Sequence, residues 1–589
     1  VTLYDLAVRN LQEGGVHYRD LFDTNLPGFV WLLSGLRWLF GSGSVVVRLA
    51  DLAIVAGVVV LIDRLAKWGG ATRASRWWAL AGIAFLYPFS VELVHAQRDV
   101  WMTLPALMAI LFRVRRCCPA PECHAIDLGV SPPSESLAKQ FRAAAQEGVF
   151  WGLAVWLKPH IVLMAVAVWL LTIRRLTART PHVGKSVVAD LLGNLFGGLV
   201  VGFCGIAWLV ESGTWPHFWS VLSVWNPHYT ELARAELPDR LSQELFWLPP
   251  WSLWLIPTVP LALLSLVDAA PWRGLPPGDA TRPGPVGRLL PRWLWDHQAG
   301  WNARFARGVL AGLYLVWAIQ AFVIQRGFIY VHMPETLLML GLWAAHRWAM
   351  PFIPLAWLLF TSSLWLWADT HPHFDQDLRA IATDKATGDL EEEHFLVRHP
   401  LADPQRMVCW AQCWRWDLTE QERYELWDCL RQIRDHEAAI DWRELHEVAE
   451  FLRQQGVKDR EVIAWNDSPH AIYLLLGVKP GVRFMHISTA RAIGEIGNSQ
   501  VQKELAATTE TARFAIGDLA WACAGTPQGR QQLFGPPQSP DDLLPEDLKP
   551  WYRTTFPFNQ PTVFRTRGGQ GRYTVHKLIP PFGEGPARP

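Results

Sequence analysis

One long apolar run after another fills residues 44–367, while residues 369–589 read as an ordinary soluble domain. A helix needs about 20 apolar residues to cross a bilayer, and several of these runs approach or meet that length. Half of the 589 residues are hydrophobic and only 18% are charged, which weighs against a large soluble helical protein. Formal net charge is zero, so overall charge gives no argument for nucleic acid as a partner. The pattern predicts spans over 44–62, 76–94, 100–112, 148–158, 160–173, 187–210, 247–267, 308–324, 333–346 and 349–367.

Basic loops stay on the cytoplasmic side, and this decides the one ambiguous stretch, "EGVFWGLAVWLKPHIVLMAVAVWLLTIRR". "RVRR" (113–116) before it and "IRRLTAR" (173–179) after it are both basic, so the run is expected to turn back on itself. Pro159 disfavours the helical conformation at Lys158, which puts the tip of a tight helical hairpin at "LKPH" (157–160). With that hairpin, residues 1–43, "HAQRD" (95–99), "LKPH", loop 212–246, "QRGFIYVHMPE" (325–335) and the C-terminal domain share the non-cytoplasmic face.

The chain opens with Val1 and an amphipathic segment, without a basic stretch or a signal-type apolar run. "LYDLAVRNLQEGG" (3–15) aligns Leu3, Ala7 and Leu11, and "PGFVWLLSGLRWLFG" (27–41) is too short to span comfortably. Both fit helices lying in the membrane interface, although a plain amphipathic cap explains the first equally well. Between them lies "HYRDLFDTNLPG", with Asp20 and Asp23.

This order of elements resembles polytopic glycosyltransferases of the GT-C superfold. It is most similar to the dolichyl-phosphate-mannose mannosyltransferase-like and lipid A aminoarabinose transferase-like relatives. The resemblance rests on an interfacial helix with Tyr4 and Ala7, then "YRDLFDTNLPG", a second interfacial helix ending "LFG", and the Arg-led span "VRLADLAIVAGVVV". "QRD" (97–99) resembles the acidic motif of the second outer loop, and "QRGFIYVHMPE" a late motif of some relatives. The match covers residues 1–370, and the C-terminal domain only loosely.

The resemblance implies transfer of a sugar from a polyprenyl-phosphate donor to a lipid or glycan acceptor on the non-cytoplasmic face. It implies a multi-pass protein among the lipids of a bacterial inner membrane. The key aspartate of the family's first loop would fall just before Val1, so a segment upstream of Val1 is expected; within this chain Asp5 could stand in for it.

Such a transfer needs a carboxylate to take the acceptor's proton and cations to stabilise the departing phosphate. Asp99 and Asp5 are the candidate carboxylates. Arg98, Lys158, His160, Arg326 and His332 are candidates for the phosphate, and Tyr4, Asp20, Asp23, His95, Gln325 and Tyr330 for the cavity lining. Lysine and arginine at span margins also snorkel for purely structural reasons, whereas a carboxylate such as Asp99 gains little there.

No phosphate-cradling Gly loop or HExxH motif is present, and no metal ligands are assigned; the chemistry leaves room for a divalent metal without requiring one. "CCPAPECH" (117–124) lacks the paired spacing of a zinc site and reads as a reduced cytoplasmic loop. In the outer domain, Cys409, Cys413, Cys429 and Cys523 allow disulfides without fixing their pairing.

The fold expectation is therefore a membrane all-α, GT-C-like multi-span domain followed by a soluble α/β or α+β domain. Its divisions are a first outer loop with interfacial helices (1–43), a polytopic domain (44–368) and a soluble non-cytoplasmic domain (369–589). In the soluble domain "WRELHEVAEFLRQQG" is an amphipathic helix, "EVIAW" and "VRFMHI" are strands flanking the helix "AIYLLLG", and "TVFRTRGGQGRYTVHKL" is a hairpin. Two other functions compete: a transporter or flippase for a lipid-linked saccharide, and a membrane-anchored sensor. A transporter should carry ionisable residues near mid-membrane on several spans, and here they gather at one face apart from a few such as Asp190.

Overall fold

The computed structural model describes residues 2–89, 94–118, 136–177, 182–235, 251–269, 286, 289, 299–325 and 329–346 of the first part of the chain. Beyond these it describes 408–409, 411–415, 417–433, 440–466, 468–484, 487, 490–491, 499–519, 543–544 and 553–579. Arg326 and the expected span 349–367 lie outside the described residues, as does most of "CCPAPECH". Among the described residues the chain is mostly helical with one small sheet, and it divides into two compact units. One comprises residues 25–211 and 233–365; the other comprises residues 1–24, 212–232 and 366–589. Helix Gly28–Phe40 thus belongs to the helical unit, while helix Thr2–Gln12 belongs with the C-terminal residues.

In the helical unit, Ser44–Trp68, Val183–Glu211 and Trp301–Ile324 are long and apolar enough to cross a membrane. They contain the expected spans 44–62, 187–210 and 308–324. The other described spans form shorter helices, among them Thr103–Cys117, Ile161–Thr177 and Met333–Ala345, and the run expected at 148–158 begins earlier, as Leu137–Leu157.

The helix break falls at Lys158–His160, and side-chain contacts give the direction of the helices on either side. Arg113 Nε donates to Glu147 Oε1 at 3.0 Å, so the end of Thr103–Cys117 lies beside the middle of Leu137–Leu157, well before Lys158. Arg175 Nε donates to the Cys117 carbonyl at 3.3 Å, so the same end lies beside the end of Ile161–Thr177. Helices 137–157 and 161–177 are therefore antiparallel, a hairpin with Lys158 at its tip. Arg113, Arg116, Arg175 and Arg307 gather at the opposite end of the unit from that tip, with Arg307 Nε donating to the Gly69 carbonyl at 2.6 Å.

Helices Leu137–Leu157 and Val183–Glu211 approach closely because small residues face each other. A Cβ on Gly197 would collide with the carbonyl oxygen of Ala145, and one on Gly148 with that of Asn194. Backbones packed through small side chains are a common way for apolar helices to associate where burial from water drives nothing. Gly197→Val is expected to destabilise the protein by about 1–3 kcal/mol, the usual cost of overpacking. Gly202 on the same helix has nothing within 4 Å of the equivalent position, so Gly202→Val should leave the detergent unfolding midpoint unchanged. Equal midpoints for the two variants would refute the close packing.

The other unit holds a four-stranded sheet in the order β1–β2–β4–β3, with β1 Val462–Ala464, β2 Phe514–Asp518, β3 Thr562–Arg565 and β4 Tyr573–Lys577. β1 and β2 are parallel, and β3 and β4 form the expected antiparallel hairpin. Helix Trp442–Gln454 buries Leu445, Val448, Ala449 and Leu452, and Asp441 caps it by accepting from Glu444 N at 3.1 Å. Val482–Phe484, the described start of "VRFMHI", lie outside this sheet; the parallel partner of β1 is "FAIGD" (514–518).

The physical reason is that Arg483 and Phe484 serve the N-terminal segment instead. Phe22 N donates to the Arg483 carbonyl at 2.8 Å, Arg483 Nη1 donates to the Tyr18 carbonyl at 3.1 Å, and its guanidinium lies over both Phe22 and Phe484. Trp225 stacks on Phe484 from the segment Trp215–Ala235. Cys409 is disulfide-bonded.

Candidate functional site

The short helix Arg98–Trp101 is the centre of the polar end of the helical unit. Gln97, extended at ψ 144°, starts it, and Thr103 Oγ1 donates back to the Asp99 carbonyl at 2.8 Å as the chain runs on into Thr103–Cys117. Asp99 is wholly buried, with 0% exposure, and its Oδ1 accepts from the Lys158 ammonium. Lys158, 11% exposed, donates also to Gln325 Oε1. Three segments separated by 59 and 167 positions in sequence thus meet in one bonded cluster.

A buried carboxylate and ammonium are each costly to desolvate, and pairing them offsets much of that cost. Arg98, 8% exposed, lies close enough to Lys158 and His160 to act electrostatically on both. Asp99 Oδ2 and Gln325 Nε2 have no hydrogen-bond partner among the described residues.

A second carboxylate lies on the other side of the same short helix. Asp51, 2% exposed within Ser44–Trp68, accepts from Trp101 Nε1 at 2.7 Å and from the Tyr87 hydroxyl at 3.0 and 2.9 Å. His95 Nδ1 lies 3.6 Å from Asp51 Oδ2, so His95 is turned towards Asp51. Sequence reading missed Asp51, which looks like a lone carboxylate at the start of an apolar run, and no periodic signal marks its partners.

The remaining candidates divide. His332 Nδ1 pairs with Glu335 Oε1 at 2.7 Å, both side chains buried, and Tyr330 sits half-buried in the turn before it. Tyr4, Asp5, Asp20 and Asp23 belong to the other compact unit. There Asp20 is held below the usual carboxylate range by the Arg19 guanidinium, which donates twice at 2.8 Å, and by Val16 N at 2.7 Å. His17 is fully buried, and desolvation lowers it to about 4 despite the opposing charge of Asp23. Among the described residues no three metal-ligating side chains converge.

At the opposite end of the helical unit Arg113 and Arg116 bridge Glu147 and Asp190 in a buried network of two cations and two carboxylates. Within that network the charges balance. No protein-family model, no curated protein and no solved structure matches the chain.

Proposed function

We propose that the chain is an integral-membrane glycosyltransferase that takes a sugar from a polyprenyl-phosphate donor and passes it to a lipid or glycan acceptor. In this reading the polar end of the helical unit faces the non-cytoplasmic side of a bacterial inner membrane, and the arginine-rich end faces the cytoplasm. The observation that supports it is the cluster of Asp99, Lys158 and Gln325, three positions named from three separate loops, beside Arg98 and His160.

Buried cations suit a phosphate, whose charge grows as the anomeric carbon–oxygen bond breaks. Lys158 and Arg98 then stabilise the leaving phosphate. Asp99 keeps Lys158 charged and in place while the site is empty, and its second oxygen orients the acceptor hydroxyl. Three helices long enough to cross a membrane bring such a site within reach of a lipid-borne donor.

The buried network of Arg113, Arg116, Glu147 and Asp190 favours a second reading, a transporter of a lipid-linked saccharide, since ionisable groups inside a helical bundle mark many transport paths. Purified protein in vesicles, supplied with undecaprenyl-phosphate-linked hexoses and pentoses, separates the two. Transfer releases undecaprenyl phosphate; transport moves the intact lipid-linked sugar between leaflets.

A further inference from the structure

We propose that Gln325 decides which sugar the site takes, by donating from Nε2 to the hydroxyl on the carbon next to the anomeric carbon; the inference deepens the reading above and rests on it. Gln325 closes the single π turn Gln320–Ile324, its N–H donating to the Gln320 carbonyl at 3.0 Å. Single π turns inside α-helices are frequent at functional sites.

Lys158 fixes which way the Gln325 amide faces. An ammonium only donates, so the amide must set its oxygen, Oε1, against Lys158 and turn its nitrogen from it. The side chain is only 5% exposed, and Nε2 has no hydrogen-bond partner among the described residues. A buried N–H left unpaired bears the full cost of its desolvation, so this one calls for a partner from outside the fold.

That partner must accept, and the donor offers two kinds of acceptor. The phosphate is served by charged donors, whose hydrogen bonds are about twice as strong as neutral ones. Lys158 keeps a further N–H beyond those given to Asp99 and Gln325, and Arg98 lies close by. The neutral amide is left for a neutral oxygen.

The other unpaired atoms point the same way. Gln320 is wholly buried one turn earlier, and neither its Nε2 nor its Oε1 has a partner among the described residues. Asp99 Oδ2 is likewise an acceptor without a donor. A phosphate only accepts and leaves those oxygens unfilled, whereas hydroxyls both donate and accept. A hydroxyl-rich ligand therefore fits these atoms. Lys158 bonds Gln325 and, in the reading above, the donor phosphate, so the hydroxyl nearest to Gln325 is the one beside the anomeric carbon.

The test is equilibrium binding to the full chain in detergent, read by native mass spectrometry. Undecaprenyl-phosphate-linked glucose, mannose, galactose and arabinose are each compared with their 2-deoxy analogues, which carry the same charge. For the sugar bound most tightly, the parent should bind the 2-deoxy analogue about 10–100-fold more weakly, the loss expected when a buried donor goes unpaired. Gln325→Met should bind the two alike. Gln325→Glu keeps an oxygen for Lys158 and removes only the N–H donor, so it should lose the same discrimination without emptying the turn.

A parent that binds every sugar and its 2-deoxy analogue alike, or that binds none of them, overturns the inference. So do folded Gln325 variants that keep the parental discrimination, the result expected if Nε2 meets only water or the phosphate. Release of undecaprenyl phosphate is followed separately on the same protein. Discrimination that disappears in the Gln325 variants, with no release by the parent, removes the transfer reading and leaves Gln325 as the residue that selects a lipid-linked sugar.

Discussion

Asp99→Asn is expected to destabilise the helical unit by about 3–5 kcal/mol, because it leaves the Lys158 ammonium buried without its counter-ion. Asp99 has 0% exposure and Lys158 is only 11% exposed, so water cannot take over the lost partner. The double variant Asp99→Asn/Lys158→Met removes both charges and keeps the volume of the lysine stem. It should be more stable than Asp99→Asn alone, since replacing a buried pair by neutral groups is often close to neutral. Unfolding midpoints in one detergent order the three proteins directly. A double variant at least as unstable as the worse single one would show that the two charges do not form a buried pair.

The second large effect concerns the phosphate. Lys158→Ala should weaken binding of undecaprenyl phosphate by about 10–100-fold, the equivalent of one hydrogen bond to a charged group. The loss is compounded because Asp99 is then left as an uncompensated anion beside the headgroup. Asp99→Asn has the opposite sign, since it releases Lys158 from its internal partner, and should retain or strengthen phosphate binding. Native mass spectrometry of the detergent-solubilised protein reads both, and parental retention of the lipid by Lys158→Ala would remove Lys158 from the phosphate site.

Much of the polar end was legible in the sequence because its signals are local. Pro159 beside Lys158, between two basic flanks, marks the hairpin tip without any knowledge of packing. The structure places helix ends on either side of it. Asp99 stood out as a carboxylate at the edge of an apolar run. Asp51 did not, because a single carboxylate inside "VRLADLAIVAGVVV" gives no hint that Tyr87, His95 and Trp101, 36 to 50 positions away, will surround it.

Pairings across helices are invisible to periodicity for the same reason: Arg113 meets Asp190 at a separation of 77 positions. In the C-terminal domain the hairpin around Gly568 and Gly569 was readable from turn chemistry. The partner of β1 was not, since "VRFMHI" and "FAIGD" are equally apolar and only tertiary contacts decide between them. Arg483 and Phe484 are instead paired with Tyr18 and Phe22, 465 and 462 positions earlier.

The central claim is that the cluster around Asp99 and Lys158 transfers sugar from a lipid phosphate. Its most direct measurement is the fate of undecaprenyl-phosphate-linked sugar in sealed vesicles containing the purified protein and a membrane-glycolipid extract as acceptor. The account predicts stoichiometric appearance of undecaprenyl phosphate and glycosylated acceptor, at a rate at least about 10²-fold lower in Lys158→Ala, as for loss of one group that stabilises a leaving anion. Intact lipid-linked sugar crossing between leaflets with no undecaprenyl phosphate released, at the same rate in both proteins, would contradict it.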